Sequence, residues 1–484
     1  MEESRPTPLI RRWSELDFRS CLVAGAYSAL GVTLLWSRLF DLGHSFWFDE
    51  LYFVSHFVRE GPAEILGGPN LSHELYGLLA WLVSTVVGDS ETAFRLLSAV
   101  PFITGVVVVT AWLHIRFDPI AGVLYLFLAT VSPLLLDLSR QARGYGLAYL
   151  AMSVLVVAAL EVDRSGATRD LLIAFAAGVA GTWTLPQLGV AFVATGLVLC
   201  ADPRVRRRAL AGLVASGLLI AGWYAPHISQ VRESAQLEAG SQIPTSWVLT
   251  APIDQILIPA LIWIEGVVLI PGVVWLPLVL AAVLVMASSP LLRRRQPALI
   301  LCAGPAATVT VLWISQAFIF TRYLSYLLVP SFILVASGAT TVLRRPRPGA
   351  PPAIVRSVIC LVAIGILAVR FVSIAPDVVR LPREANRDAA DVIEKRSAVG
   401  TPIFVYTLLP EGLAFYLDRP FRRVTMRTAA ERVCSARRLA VYVTQPMTIK
   451  PVEVPCLRRP GARHYRFRQF ARGDEMNVWF VPPS

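Results

Sequence analysis

An acidic pair, Asp49-Glu50, follows Phe46-Trp47-Phe48 directly after the first long apolar run of the chain. Aromatic residues at a membrane–water boundary are ordinary. A carboxylate pair beside them costs desolvation and points toward function, although a solvated helix N-terminus, where the dipole favours acids, is the plainer reading. Successive helical residues point about 100° apart, so the two carboxylates are expected to have different jobs. His44, His56, Glu60, Glu64, His73, Glu74, Asp89 and Glu91 share the same stretch, and Arg95, Arg140, Arg143, Tyr145, His227, Arg322 and Tyr323 follow at the ends of later apolar runs. A carboxylate can take a proton from a hydroxyl. Guanidinium groups can hold a phosphate in two-pronged fashion and stabilise its developing charge. Together they suit a reaction on an anionic, lipid-linked substrate. Arginines that snorkel at helix ends and a satisfied interfacial histidine are the competing structural readings for Arg140, Arg143 and His73.

The elements that must position these groups are apolar. Of 484 residues, 55% are hydrophobic and 16% charged, against roughly 25% charged in ordinary globular proteins, and the mean hydropathy is +0.59. This excludes disorder, coiled coil and an ordinary cytosolic enzyme, and leaves a polytopic α-helical membrane protein. The formal net charge is +12, almost all from arginine, with Lys395 and Lys450 the two lysines. No nucleic-acid motif accompanies that charge, and no nucleic-acid partner is expected. Cys21, Cys200, Cys302 and Cys360 sit in apolar runs as packing residues, whereas Cys434 and Cys456 fall in a polar tail where a disulfide is open.

A spanning helix needs about 20 apolar residues. Candidate spans are 21–40, 92–114, 119–137, 143–161, 171–184, 186–200, 209–226, 264–287, 298–317, 323–343 and 354–374, with the pair around Thr184-Leu185-Pro186 readable as two tight spans or one broken one. The run 71–88 is amphipathic and decides the parity. If it lies in the interface, seventeen arginines fall on the short inner loops and seven on the outer side, as the positive-inside rule requires. The expectation is therefore about eleven spans. Residues 1–20 lie in the cytoplasm, 21–375 form the transmembrane domain with its first outer loop at 41–91, and 376–484 form an extracytoplasmic domain. The first run lacks a signal-peptide cleavage pattern and reads as a retained helix. The tail alternates helical stretches, 383–397 and 426–437, with β-type runs at 403–406 and 439–443, which predicts a small α/β layer.

These residues resemble the GT-C polyprenyl-phosphate-sugar-dependent glycosyltransferases, specifically the family-39-like bacterial relatives of protein O-mannosyltransferases and of lipid A aminoarabinose transferases. FWFDELYF is similar to the first-loop Asp-Glu motif. The stretch from Leu71 to Val100 resembles an interfacial helix followed by G-[DE]-S-x-x-x-x-R-L-x-S, matched by His73, Arg95 and Ser98. SRQARGYGL resembles x-x-A-R-x-Y-x-L, FTRYLSYLLVP resembles x-R-Y-L-x-x-x-x-P, and LPREANRDAADVI looks like the opening of the extracytoplasmic domain. Ser72-His73-Glu74 departs from the Pro-Pro or Lys-Pro that many members carry there.

The resemblance implies a GT-C fold and transfer of a sugar, with inversion, from a polyprenyl-phosphate carrier to a hydroxyl of a lipid, glycan or protein acceptor, on the outer face of the cytoplasmic (inner) membrane. Asp49 would be the base, with Glu50 beside it. Arg143 and Arg322 would bind the carrier phosphate, and His73, Arg95, Arg140, Tyr145 and Tyr323 would complete the pocket. Some members use a divalent cation, magnesium or manganese, and others do not. Two other classes compete. A transporter or flippase predicts mid-bilayer charges and internal repeats, but the sequence shows no repeat and its notable charges sit at one face apart from Glu265. A non-catalytic glycan-binding membrane subunit predicts that Asp49 is dispensable.

Overall fold

The computed structural model describes residues 18–67, 73–229, 285–315, 321–344, 353–380, 385–406, 411–444, 454–468 and 475–483. They form two compact units. The first comprises residues up to Phe40, Leu66–Tyr76 and Leu97–Val372, and the second Asp41–Ile65, Gly77–Leu96 and Ser373–Ser484.

Helices occupy the apolar runs: Phe18–Leu39, Glu91–Arg116, Tyr145–Ser165, Thr168–Thr184, Leu188–Ala201, Arg206–Tyr224, Arg295–Ser315, Leu328–Arg344 and Ala353–Arg380. The expected span 264–287 lies outside the described residues but for its last three. Among the described residues, four helices are long and apolar enough to cross a membrane: Ser20–Leu39, Glu91–Arg116, Tyr145–Ser165 and Leu324–Arg344. Thr168–Thr184 and Leu188–Ala201 have 17 and 14 residues, about 26 and 21 Å at 1.5 Å per residue, short of a core roughly 30 Å thick. They are two helices folded back on each other. A Cβ added at Gly178 would lie 2.0 Å from Phe192, and one at Gly181 would lie 2.8 Å from Leu188. Pro186 in the intervening turn cannot continue a helical hydrogen-bond ladder.

The expected span 119–137 is instead two helices, Pro119–Val131 and Pro133–Ser139, meeting at a 67° bend. Pro133 has no N–H to give the Ala129 carbonyl four residues earlier. The fully buried Arg38 supplies the missing donors, its guanidinium reaching Ala129 O at 3.0 Å and Thr130 O at 3.1 Å. Arg140 does the same for the first helix, donating to Ser37 O at 3.0 Å and Phe40 O at 2.7 Å, carbonyls that a helix C-terminus leaves open. Around these ends lies a continuous apolar core that includes Leu34, Phe102, Tyr149, Phe192 and Tyr326.

The arginines that orient the chain by sequence also tie helix ends together. Arg204 pairs with Asp202 at 2.7 Å and Asp163 at 3.6 Å, Arg294 with Asp163 at 3.2 Å, and Arg344 with Asp118 at 2.5 Å.

In the second unit, strands β1 (Ile403–Tyr406), β2 (Arg422–Arg423), β3 (Ala440–Thr444), β4 (Arg463–Arg468) and β5 (Glu475–Val481) form one sheet in the order β2-β1-β3-β5-β4. The pairs β1–β2 and β1–β3 are parallel, while β3–β5 and β5–β4 are antiparallel. Side chains alternate across a strand. Ile403, Val405, Val441 and Val443 therefore pack with helices Asn386–Arg396 and Glu411–Tyr416, while Phe404, Tyr406, Ala440 and Tyr442 pack with helix Met426–Cys434. A disulfide joins Cys434 to Cys456. The tail helices hold the first loop: Arg387 pairs with Glu91, and the Tyr416 hydroxyl donates to Glu91 at 3.0 Å and accepts from the Phe46 amide at 2.7 Å.

Candidate functional site

The sequence-predicted residues fall into two groups, one in each compact unit. In the second unit, helix Phe48–Phe53 begins at the aromatic triplet and carries both acids in its first turn. Glu50 is 1% exposed. Its carboxylate accepts from the Trp47 amide at 3.2 Å, satisfying one of the orphan donors of a helix start. Both its oxygens also face Arg95, which meets Oε1 through Nε at 3.2 Å and Oε2 through NH2 at 2.6 Å. The remaining Arg95 protons reach Leu42 O at 2.9 Å, His44 O at 2.6 Å and Ser45 O at 3.1 Å. One guanidinium thus fixes the loop entering the helix and the helix itself. Asp49, half-buried, is the adjacent carboxylate, turned by the helical repeat away from the direction of Glu50.

In the first unit, His73 precedes helix Glu74–Val87 with φ +79°, a left-handed conformation that costs a non-glycine residue of order 1–3 kcal/mol. It is fully buried, and its ring stands edge-on to Tyr145 with centroids 4.9 Å apart. A Cβ on Gly144 would come within 2.7 Å of the His73 Nδ1 atom, so glycine is required for this approach. The next glycine, Gly146, presses on the Ser98 carbonyl and donates its amide to the Ser98 hydroxyl at 3.1 Å. Arg143 is 8% exposed, with its guanidinium carbon 5.9 Å from the Tyr145 ring centroid. His73, Arg143 and Tyr145 therefore gather at the start of helix Tyr145–Ser165, and Arg140 sits on the carbonyls of Ser37 and Phe40. Arg322 and Tyr323 lie in the 3-10 turn Thr321–Leu327, their side chains outside the described part.

Sequence reasoning did not single out the partners of Glu74. This residue is buried and accepts a hydrogen bond from the Trp223 indole, and Trp223 stacks on Trp183 with centroids 4.4 Å apart. Burial pushes the Glu74 carboxyl up to about 7. A contact across 149 residues leaves no local signal. The one available hint was a carboxylate beginning an otherwise apolar amphipathic helix.

Among the described residues, no group of three or more His, Cys, Asp and Glu side chains converges, and both Glu50 oxygens are engaged by Arg95. The Asp49-Glu50 pair does not fit a divalent cation.

No family model matches the sequence, and no curated protein matches it either. Solved structures do. The crystal structure of ArnT from Cupriavidus metallidurans bound to undecaprenyl phosphate aligns with a TM-score of 0.54 at 14% identity, covering 95% of this chain and 98% of that one. Its apo form gives 0.54 at 15% identity over 96% and 98%. The oligosaccharyltransferase AglB from Archaeoglobus fulgidus, in complex with an inhibitory peptide and a dolichol-phosphate, aligns at 0.48 and 11% identity over 88% and 70%. The chain has the GT-C fold.

Proposed function

We propose that this chain of GT-C fold is a membrane glycosyltransferase that passes a sugar from a polyprenyl-phosphate carrier to an acceptor hydroxyl of a glycan, lipid or protein. The observation that carries the reading is the near-complete alignment with ArnT, crystallised with undecaprenyl phosphate. Asp49 is the base that takes the acceptor proton as the oxygen attacks the anomeric carbon, with inversion. Arg143, buried beside Tyr145, and Arg322 hold the carrier phosphate as it leaves with the bonding electron pair. His73 and Tyr145 shape the pocket around Arg143, with Tyr323 beside Arg322. Glu50 and Arg95 act by positioning Asp49, and Arg140 by fixing the turn that precedes Arg143.

The topology that fits is the eleven-span arrangement, with the N-terminus in the cytoplasm and the tail outside, in the inner membrane. The Cys434–Cys456 disulfide supports an oxidising surrounding for the tail. In this arrangement the short hairpin helices are two of the eleven, crossing where the bilayer thins to meet them.

The test is binding and turnover with purified protein in detergent. Wild-type protein is expected to bind undecaprenyl phosphate and to release it from a sugar-bearing carrier when an acceptor is added. No binding of the carrier in either form would overturn the reading.

A further inference from the structure

The start of helix Glu74–Val87 and the ends of helices Thr168–Thr184 and Arg206–Tyr224 gather polar atoms that the reaction above does not use. Glu74 Oε2 accepts from the Trp223 indole N–H. Glu74 Oε1 is buried with no hydrogen-bond partner among the described residues. The Trp183 ring lies against Trp223 with 20° between planes, and its own N–H is likewise buried and unpartnered among the described residues. So is the side-chain oxygen of Gln187, four residues on in the turn that reverses the chain. Tyr224 donates to the Thr182 carbonyl at 2.8 Å, pinning one helix end beside the other.

Each buried polar atom left unsatisfied costs about 1–3 kcal/mol, and native interiors leave few of them. Here one acceptor, Glu74 Oε1, and one donor, the Trp183 N–H, belong to residues joined through the Trp223 indole. A ligand that completes the group brings a hydroxyl donor for Glu74, an acceptor for Trp183, and an apolar face for the indoles. A glycosyl ring has all three: hydroxyls that both donate and accept, and C–H faces that pack on aromatic surfaces. Pockets for small ligands combine aromatic walls with a few placed polar groups in the same way.

We propose that Glu74, Trp183 and Trp223 form the subsite for a glycosyl ring, with Glu74 Oε1 accepting from one ring hydroxyl and the Trp183 N–H donating to another ring oxygen. This rests on the glycosyltransferase reading and adds the residues that recognise sugar as distinct from phosphate. The ring belongs either to the donor or to a glycan acceptor, since both present the same chemistry. Burial lifts the Glu74 carboxyl to about 7, so the ionised form gains from any donor brought to its open oxygen.

The experiment measures binding of bare undecaprenyl phosphate, of undecaprenyl-phosphoryl glucose, mannose and arabinose, and of the soluble methyl glycosides of the same sugars. Wild-type protein, E74Q and W183F are compared. Gln puts a donor where the proposal needs an acceptor, and Phe keeps the stacking while removing the N–H. Each variant is expected to lose about tenfold or more in affinity for the preferred sugar-bearing ligand and to bind bare undecaprenyl phosphate like wild type. Loss confined to sugar-bearing carriers places the donor sugar there. Loss confined to methyl glycosides places the acceptor sugar there. Unchanged affinity for every sugar, equal loss for the bare carrier, or a wild-type protein that binds the bare carrier but prefers no sugar-bearing form overturns the subsite. A wild-type protein that binds no carrier at all overturns the glycosyltransferase reading itself.

Discussion

Arg95 grips Glu50 through two parallel contacts, 3.2 Å to Oε1 and 2.6 Å to Oε2, while the same guanidinium collects the carbonyls of Leu42, His44 and Ser45. The pair is 6% and 1% exposed. Two neighbouring carboxylates therefore have different chemistry despite their shared motif. Glu50 is committed to a buried ion pair and a helix start, and the base proposed above is its neighbour Asp49.

The first prediction separates the two. Asp49→Asn keeps size and removes the base, so turnover should fall about 10²–10⁴-fold, with carrier binding and the melting temperature retained. Arg95→Ala leaves the Glu50 charge buried without its partner and should destabilise the protein by about 3–5 kcal/mol; Glu50→Gln should act in the same direction with a smaller loss. Turnover and thermal melting in detergent report both effects. A D49N protein with near-normal turnover would sink the proposed base.

The second concerns the carrier phosphate. A charge-assisted hydrogen bond contributes about 1.5–3 kcal/mol, so Arg143→Ala and Arg322→Ala should each weaken undecaprenyl phosphate binding about tenfold to a hundredfold. Titration of the carrier against the two variants reads this directly. Wild-type affinity in both would refute the assignment.

Helices were legible where the apolar runs are long, because burying such runs leaves few alternatives to a helix in a membrane. Strands β1 and β3 were legible as short β-branched and aromatic runs, and they fall at 403–406 and 440–444. Strands β4 and β5 were not. Arg463-His464-Tyr465-Arg466-Phe467-Arg468 puts arginine on an edge strand, where charge keeps the edge from pairing further, and this hides the apolar alternation. The bend at Pro133 could be read as a helix start, but not the arginine 95 residues earlier that satisfies the freed carbonyl. The same holds within the site. Residue types identified Arg95, Arg140 and Arg143 together as anion ligands. The pairings that distinguish them, Arg95 with Glu50 and Arg140 with Ser37 and Phe40, join segments 45 to 103 residues apart.

The third prediction follows from that distinction. Arg140 donates to two carbonyls at the end of helix Phe18–Leu39. Arg140→Ala should lower stability by about 1–3 kcal/mol through those unsatisfied acceptors, with undecaprenyl phosphate affinity falling much less than in Arg143→Ala. Equal loss of affinity in the two variants would move Arg140 into the phosphate site.

The fourth uses pH. Burial raises the Glu74 carboxyl from about 4.5 to about 7, so the folded chain holds a proton that the unfolded chain has released between those values. Stability falls with rising pH wherever the folded state binds more protons. The contribution of Glu74 is therefore fully present below about 4.5 and is lost as pH rises through about 7. Glu74→Gln cannot ionise. Its melting temperature should decline less steeply than that of wild type between pH 5 and 8, and the two curves should separate most on the alkaline side, where wild type carries a buried charge next to one indole donor. Melting curves recorded across that range for both proteins provide the check, and parallel curves would show that Glu74 stays ionised throughout. A sugar-bearing carrier that donates to Glu74 Oε1 should also pull the wild-type transition back toward lower pH, because a hydroxyl donor favours the charged form. Bare undecaprenyl phosphate should leave it where it is.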